Sequence, residues 1–395
     1  MRVNTTIMRT RIFQLAVAAC LAVALGAPAA AQIQQSIAIG PYVQNVGAND
    51  ATICWATLSG DVTVAPPVND DANFREYRMH SVVLRDLKPG TTYTYAVPGD
   101  IGDAARCTFT TVPEGEHPFS FAVISDTQNR GNPAHRPIIE RIMAEKPDML
   151  FNVGDLVSDG RDIGDWEEFF RVEGDLLRSV PLYAVLGNHD RASSLYFQFF
   201  ALPGNERYYS FDRGAAHFVV FDSPGLYPPD DNQSVIQADQ IRFRERQEQY
   251  WQQQMQWLKD DLAGRPDAKY IFVFFHYPLY SVKASRVEGS NALRARFGTV
   301  FQDYHVTAVF GGHDHHYHHA VAGGVHFVEG GVAGGGARPT DAPPHPETVK
   351  TASVESFMRV DVGPNQAKLR ATDVAGNTVE EFQLPARPRP SAAAK

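Results

Sequence analysis

Five apolar runs in this chain each stop at an acidic, amide or imidazole side chain, and that recurrence constrains the fold more than any other feature. Phe119 to Ile124 leads into Ser125-Asp126-Thr127-Gln128, and Met149 to Val153 into Gly154-Asp155. Leu182 to Leu186 leads into Gly187-Asn188-His189-Asp190, Tyr270 to Phe275 into His276-Tyr277-Pro278, and Val306 to Phe310 into Gly311-Gly312-His313-Asp314-His315-His316. Between the first three runs the apolar spacing turns helical, at Ile138, Ile139, Ile142 and Met143 and again over 166–177. Short apolar runs alternating with amphipathic helices read as parallel strands joined by crossover helices and covered on both faces. In open α/β sheets, ligands gather at the carboxyl ends of the strands. A single Gly-Asp is ordinarily a turn, and a single histidine after a strand an ordinary packed side chain. Five such stops at the same end of successive strands point to one shared site.

The residue types at those stops suit metal. Mixed imidazole and carboxylate donors favour iron, manganese or zinc, whereas oxygen-only cages favour calcium or magnesium. Two imidazoles two residues apart, beyond a Gly-Gly turn, can address two ions side by side, and Asp155 in its glycine-flanked loop is placed to bridge them. Ions about 3.5–4 Å apart would clamp a phosphoryl oxygen and activate a shared water as nucleophile. No serine or cysteine nucleophile is then required. His189 is left to donate a proton to the leaving-group oxygen, with Asp190 expected to hold its ring in one tautomer.

As a set, Asp126, the loop from Gly154 to Gly160, Gly187-Asn188-His189-Asp190, His276 and Gly312-His313-Asp314-His315 resemble the five motifs of calcineurin-like metallophosphoesterases. Tyr208-Tyr209-Ser210-Phe211, the helix from Gln253 to Leu262 and the all-β segment before the motifs look most like the purple acid phosphatase branch. The resemblance implies an α/β protein with a four-layer α/β/β/α sandwich, a dinuclear centre and phosphoester hydrolysis. Carried over by residue, metal one takes Asp126, Asp155 and His315, and metal two takes Asp155, Asn188, His276 and His313. Two positions depart from the pattern. Gln128 stands where most of the wider family has a histidine, and Ser158 where the purple branch has a tyrosine. Metal one is therefore expected to use the Gln128 amide oxygen, or water, as its further ligand, and no tyrosinate-to-iron absorption is expected. His316, His318 and His319 follow the last motif; they read as rim histidines open to solvent, with phosphate contact or capture of an extra metal as alternatives. Asn129, Arg130, Arg191, Tyr277 and Tyr280 are read as bystanders of the pocket.

Upstream, residues 32–112 show alternation without helical periodicity. Ala51 to Thr57, His80 to Leu84 and Thr91 to Val97 read as half-buried strands, and the stretch from Leu87 to Tyr95 resembles fibronectin type III sandwiches. This gives a small all-β sandwich with a structural or docking role, a linker at 113–118 and a catalytic domain over 119–385. Within that domain, two antiparallel strands are expected between Tyr208 and Asp222. A long amphipathic helix is expected from Ile241 to Ala263, with a stripe of Trp251, Met255, Leu258 and Leu262 stopped by Gly264. Runs near 356–362, 367–372 and 380–384 are expected to close the second sheet. The loop from Gly331 to Val349 and a tail at 386–395 are expected to be mobile.

The N-terminus reads as a secretory signal over 1–31: Arg9 and Arg11, then an apolar core from Ile12 to Leu25, then Ala29-Ala30-Ala31. That core is shorter than the roughly 20 residues of a membrane span. Val17-Ala18-Ala19-Cys20 offers lipid attachment as an alternative, although the apolar run continues past Cys20. Export to a periplasmic or extracellular space is expected, with no membrane span. Cleavage removes three arginines and no acid, deepening the charge from −9 to −12. Such a body disfavours bulk nucleic-acid binding, which rests on neutralising phosphates with Lys and Arg. An oxidising compartment permits Cys54 and Cys107 to pair, and spacing leaves bridge and separate thiols equally open. The reading that results is an exported phosphatase acting on small-molecule phosphomonoesters through two metal ions. A phosphodiesterase would show the same ligands, and a surface-binding protein with a decayed site is opposed by the intact set.

Overall fold

The computed structural model describes residues 37–58, 77–98, 107–225 and 237–387. The expected signal segment and most of the expected tail lie outside the described residues. The first region contains β1 (Ile37–Gln44), β2 (Ala51–Leu58), β3 (Tyr77–Leu84), β4 (Thr92–Tyr95) and β5 (Cys107–Thr110). They form a three-stranded sheet, β1-β2-β3, and a two-stranded ladder, β4-β5, around Val43, Ile53, Trp55, Val97 and Phe109. Strand β2 is buried along nearly its whole length rather than half-buried. Its alternate side chains explain this: Ile53 and Trp55 face the small core, while Cys54 and Ala56 join the main core of the larger domain. Cys54 and Cys107 are both buried thiols rather than a bridge. Burial pushes the Cys54 thiol up to about 12.

The larger domain runs β6 (Phe119–Ile124), α1 (His135–Glu145), β7 (Met149–Asn152), α2 (Ile163–Leu177), β8 (Leu182–Ala184), α3 (Ser194–Phe199), β9 (Tyr209–Arg213), β10 (Ala216–Phe221) and α4 (Gln237–Ala263). It continues with β11 (Tyr270–Phe275), α5 (Val287–Asp303), β12 (Ala308–Gly311), β13 (Tyr317–Ala322), β14 (Val325–Glu329), β15 (Thr348–Ala352), β16 (Ser356–Val362), β17 (Gln366–Asp373) and β18 (Thr378–Pro385). One sheet has the order β18-β17-β16-β6-β7-β8 and the other β15-β13-β14-β12-β11-β10-β9. The central strands are parallel in both, β6-β7-β8 in one and β10-β11-β12-β14 in the other, with antiparallel strands at the flanks. The last three strands thus extend the sheet begun by β6, since Val360 pairs with Phe121.

The two sheets meet through phenylalanines. Phe151 stacks on Phe274 at 3.8 Å, and Phe121 lies edge-on to Phe272 at 5.1 Å, the latter geometry adding about 0.5–1.5 kcal/mol beyond its burial. Helix α2 starts where the Asp162 carboxylate accepts the Gly164 N–H, and it buries Trp166, Phe169, Phe170, Leu176 and Leu177. Outside the other sheet, Leu258 and Leu262 of α4 and Leu293, Phe297 and Phe301 of α5 join a second apolar cluster. Trp251 and Met255 of the expected stripe are only partly buried; Gln254 is buried instead, accepting from the Asp222 N–H and donating to its carbonyl.

Helix α5 and strand β13 are additions to the sequence reading. The former carries helical spacing at Leu293, Phe297, Val300 and Phe301, and the latter was hidden by its histidines. The segment from Gly331 to Val349 is not a free loop, because it is bonded to the end of β6. There Gly331 accepts from Ser125, Ala333 donates to Ser125, and Gly335 donates to Asp126. In the expected tail, Arg387 donates to the carbonyls of Arg265, Ala268 and Tyr304. Among the described residues, no helix is long and apolar enough to cross a membrane.

Candidate metal centre

The ends of β6, β7 and β8 in one sheet and of β11 and β12 in the other open onto one crevice. Asp126, Asp155, His313 and His315 there all have left-handed backbones, with φ of 51°, 55°, 74° and 62°. Such a conformation is unfavourable for a side chain with a Cβ, costs about 1–3 kcal/mol each, and clusters at functional sites. Asp155, His276 and His313 bring one donor atom each within 4.8 Å of one another. His276 Nε2 lies 3.3 Å from Asp155 Oδ1 and 3.2 Å from Asn188 Oδ1. Its Nδ1 faces the Val153 carbonyl at 2.8 Å, which fixes the tautomer that presents Nε2 to the crevice.

Beside this group lies a second. His315 Nε2 is 3.4 Å from Asp126 Oδ1, and its Nδ1 is held by the carbonyls of Gly335 and Gly336. Asp126 is itself oriented by the Ser125 hydroxyl at 2.7 Å and the His313 N–H at 2.9 Å. The Gln128 amide is best satisfied with its nitrogen donating to the Asp155 and Asp126 carbonyls, at 2.9 and 3.2 Å. That orientation turns its oxygen toward His315 Nε2, 3.2 Å away. All seven residues expected as ligands therefore converge, with Asp155 between the two groups.

The electrostatics favour a cation. Burial opposes charge on His276, yet Asp155 carries it up to about 9. Burial would raise Asp155, and the His276 charge outweighs this and holds the carboxyl below its ordinary range. Burial and His276 together press His313 down to about 2, so its ring stays neutral. His313 Nδ1 is buried without a hydrogen-bond partner. A neutral imidazole with a buried orphaned nitrogen, beside a carboxylate and a second imidazole, fits a metal ion.

His189 projects its ring at the mouth, with a side chain 42% exposed and Nε2 3.9 Å from Asp155 Oδ2. The expected pairing with Asp190 is not formed. The Ser158 carbonyl holds His189 Nδ1, at 2.7 Å. Asp190 is fully buried and instead accepts the backbone N–H groups of Asp155, Leu156 and Gly187, at 2.9, 2.9 and 2.8 Å. Its carboxylate points inward because those amides, left over at the ends of β7 and β8, need an acceptor.

Sequence reasoning missed the glycine strap. A Cβ on Gly335 would sit 2.5 Å from His315 Cε1, and one on Gly334 would sit 2.7 Å from the Thr127 carbonyl oxygen. The run Gly334-Gly335-Gly336 was the available signal. His316, His318 and His319 are not rim residues, being 0%, 1% and 2% exposed. Arg130 is ion-paired to Asp162 and Asp165 and borders a cleft of about 160 Å³ lined by Gln128, Asn129 and Ser158. Tyr277 packs its ring against His313 at 4.4 Å.

Residues 119–317 match the model of the family described as calcineurin-like phosphoesterase. The chain is 26% identical over 290 residues to purple acid phosphatase 23 of Arabidopsis thaliana, covering 62% of this chain and 58% of that protein. It is 26% identical over 266 residues to acid phosphatase type 7 of Mus musculus, covering 62% and 57%. The chain thus spans just over half the length of these curated relatives. Among solved structures, a purple acid phosphatase from yellow lupin (Lupinus luteus) seeds superposes with a TM-score of 0.68 at 16% identity, over 91% of this chain and 78% of that one. The structure of PhoD superposes with a TM-score of 0.65 at 14% identity, over 90% and 94%. Both share the fold. With its matched segment running from the first strand of the large domain to the start of β13, the chain belongs to the calcineurin-like phosphoesterases.

Proposed function

We propose that this protein is an exported, metal-dependent phosphomonoesterase with a dinuclear centre of iron, manganese or zinc. The observation that carries the reading is the meeting of Asp155, His276 and His313, with Asp126, His315 and Gln128 on the other side of Asp155. One cation would be held by Asp126, Asp155, His315 and the Gln128 oxygen, the other by Asp155, Asn188, His276 and His313. When bound, the pair would neutralise the phosphoryl oxygens and supply an activated water.

The chain's own residues do the rest. The backbone N–H of His189 donates to Asp155 Oδ1 at 2.7 Å, tying the proposed bridge to the leaving-group side. With Nδ1–H held by Ser158, a protonated His189 has its Nε2 proton free for the departing alkoxide oxygen and is left as the neutral Nδ1–H tautomer. The cleft beside Gln128 and Ser158 would receive the organic part of the substrate. The apolar N-terminal segment supports export, the small first domain is read as fibronectin type III-like, and helices outside both sheets support a four-layer arrangement.

The test is a panel of phosphomonoesters and diesters assayed with wild type, Asn188→Ala and His189→Ala. The monoester rate should exceed the diester rate. Asn188→Ala should lower kcat/KM by about 10²-fold or more, because it removes a ligand. His189→Ala should slow alkyl phosphates about 10²–10⁴-fold and p-nitrophenyl phosphate far less, because nitrophenolate leaves without a proton. An unchanged rate in Asn188→Ala would overturn the assignment.

A further inference from the structure

Behind the proposed pair lies a second cluster of donors that this mechanism does not use. Asp314, His316 and Glu329 bring one ligand atom each within 4.8 Å of one another. The three residues are 0%, 0% and 4% exposed. Neither ring nitrogen of His316 and neither carboxylate oxygen of Glu329 has a hydrogen-bond partner. Four buried polar atoms without partners are rare enough in one place to require an explanation.

A shared proton does not supply it. His316 Nε2 and Glu329 Oε2 stand 3.7 Å apart, beyond hydrogen-bond length. That gap is close to the spacing of two ligands on one ion, each bonded at about 2.0–2.2 Å. His318 does not fill the role, although its Nδ1 lies 3.9 Å from Glu329 Oε2. Its two nitrogens already meet the Tyr280 carbonyl and the Thr348 hydroxyl, at 3.1 and 2.9 Å. Asp314 keeps partial support from Arg286 Nη1 at 3.0 Å and from the Ser281 hydroxyl. This leaves the buried Glu329 carboxyl, among the described residues, with no lysine or arginine in contact and only His316 and His318 nearby, at 3.7 and 3.9 Å.

We propose that Asp314, His316 and Glu329 form a third, structural cation site for a zinc-like divalent ion. One imidazole and two carboxylates suit that class, and an oxygen-seeking ion such as calcium would not select the histidine. Asp314 and His316 alternate along the chain with His313 and His315, so one short segment serves two sites. An ion behind it would tie the end of β14, at Glu329, to that segment and hold the two outer imidazoles in place. Its role is positioning: the donors are buried and none of them faces the substrate cleft.

The test uses the full chain loaded with zinc and desalted. Metal content is measured for wild type, Glu329→Gln and His276→Ala, and anomalous diffraction at the zinc edge locates each ion. The expected result is an anomalous peak between Asp314, His316 and Glu329, with one equivalent less metal in Glu329→Gln. His276→Ala should weaken the outer peaks and keep the inner one. Absence of the inner peak in loaded wild type, or full metal content in Glu329→Gln, overturns the proposal. Wild-type diffraction decides the matter alone if Glu329→Gln does not fold. Because inner and outer ions are located separately, loss of the inner peak leaves the proposed catalytic pair untouched, and the converse holds.

Discussion

Asp190 shows how one side chain can govern a site it does not enter. Its carboxyl oxygens accept the amides of Asp155, Leu156 and Gly187. Burial and the neighbouring Asp155 charge push its pKa up to about 8, and each buried amide left without an acceptor costs about 1–3 kcal/mol. An asparagine offers one neutral oxygen and an N–H₂ that clashes with a donor. Asp190→Asn is therefore expected to cost about 2–4 kcal/mol in denaturant unfolding and about 10–100-fold in metal affinity. A loss confined to kcat, with stability and metal content intact, would return Asp190 to a direct catalytic role. Gly335→Ala makes a second case. The added methyl would collide with His315 Cε1, so metal binding should fall at least about tenfold while the thermal midpoint moves little. Isothermal titration with zinc and calorimetry separate the two effects, and unaltered affinity would show that the strap yields. At this scale the convergence of Asp126, Asp155, Asn188, His276, His313 and His315 was legible because chemistry and strand position coincide there. The inward turn of Asp190 and the burial of His316 were not, because chain order does not say which way a side chain faces.

Strands β9 and β10 are tied to α4 by an ion triad centred on the buried His217, with Asp261 partly buried and Asp212 exposed. His217 meets Asp212 Oδ1 at 2.6 Å and Asp261 Oδ2 at 2.7 Å. Burial opposes the His217 charge, but the two carboxylates outweigh it and raise the pKa above its ordinary value. Its stabilising contribution is thus fully present below about pH 6.5 and is lost as pH rises through the raised value. Asp212 behaves oppositely: the His217 hydrogen bond lowers its pKa, so its contribution is lost as pH falls below about 4. The difference in unfolding free energy between wild type and His217→Asn should therefore shrink as pH is raised from about 6 to 9. A difference that stayed flat would mean that His217 is neutral in the fold. The element reading succeeded where periodicity was clean, as in β6, α1, β7, β11 and β12. It failed at β13, whose histidines mask a buried strand, and it assigned β16 to β18 to the second sheet when they extend the one begun by β6, because alternation fixes a face and not a partner.

At the scale of the molecule, the small first domain is bonded to the large one. The Tyr42 hydroxyl donates to the Phe199 carbonyl at 2.6 Å, its ring packs on Phe170 at 4.9 Å, and Tyr95 donates to the Arg178 carbonyl at 2.8 Å. Ile39, Tyr42, Cys54 and Ala56 belong to the same apolar cluster as the sheet interior. Both domains are expected to unfold in one calorimetric transition, and Tyr42→Ala should cost about 3–5 kcal/mol, as for other large buried rings. Two resolved transitions would show instead that the domains are thermodynamically independent. The docking was not readable in the sequence, since nothing in an alternating strand says what will cover its second face.

Asp126, Asp155 and Asn188 come from one sheet, and His276, His313 and His315 from the other. Any ions they share would act as rivets across the seam, whereas stacked phenyl rings resist separation far better than they resist sliding. Stripping the ions should therefore free a shear between the sheets while each stays whole, so that catalysis reports alignment within the fold as well as its survival.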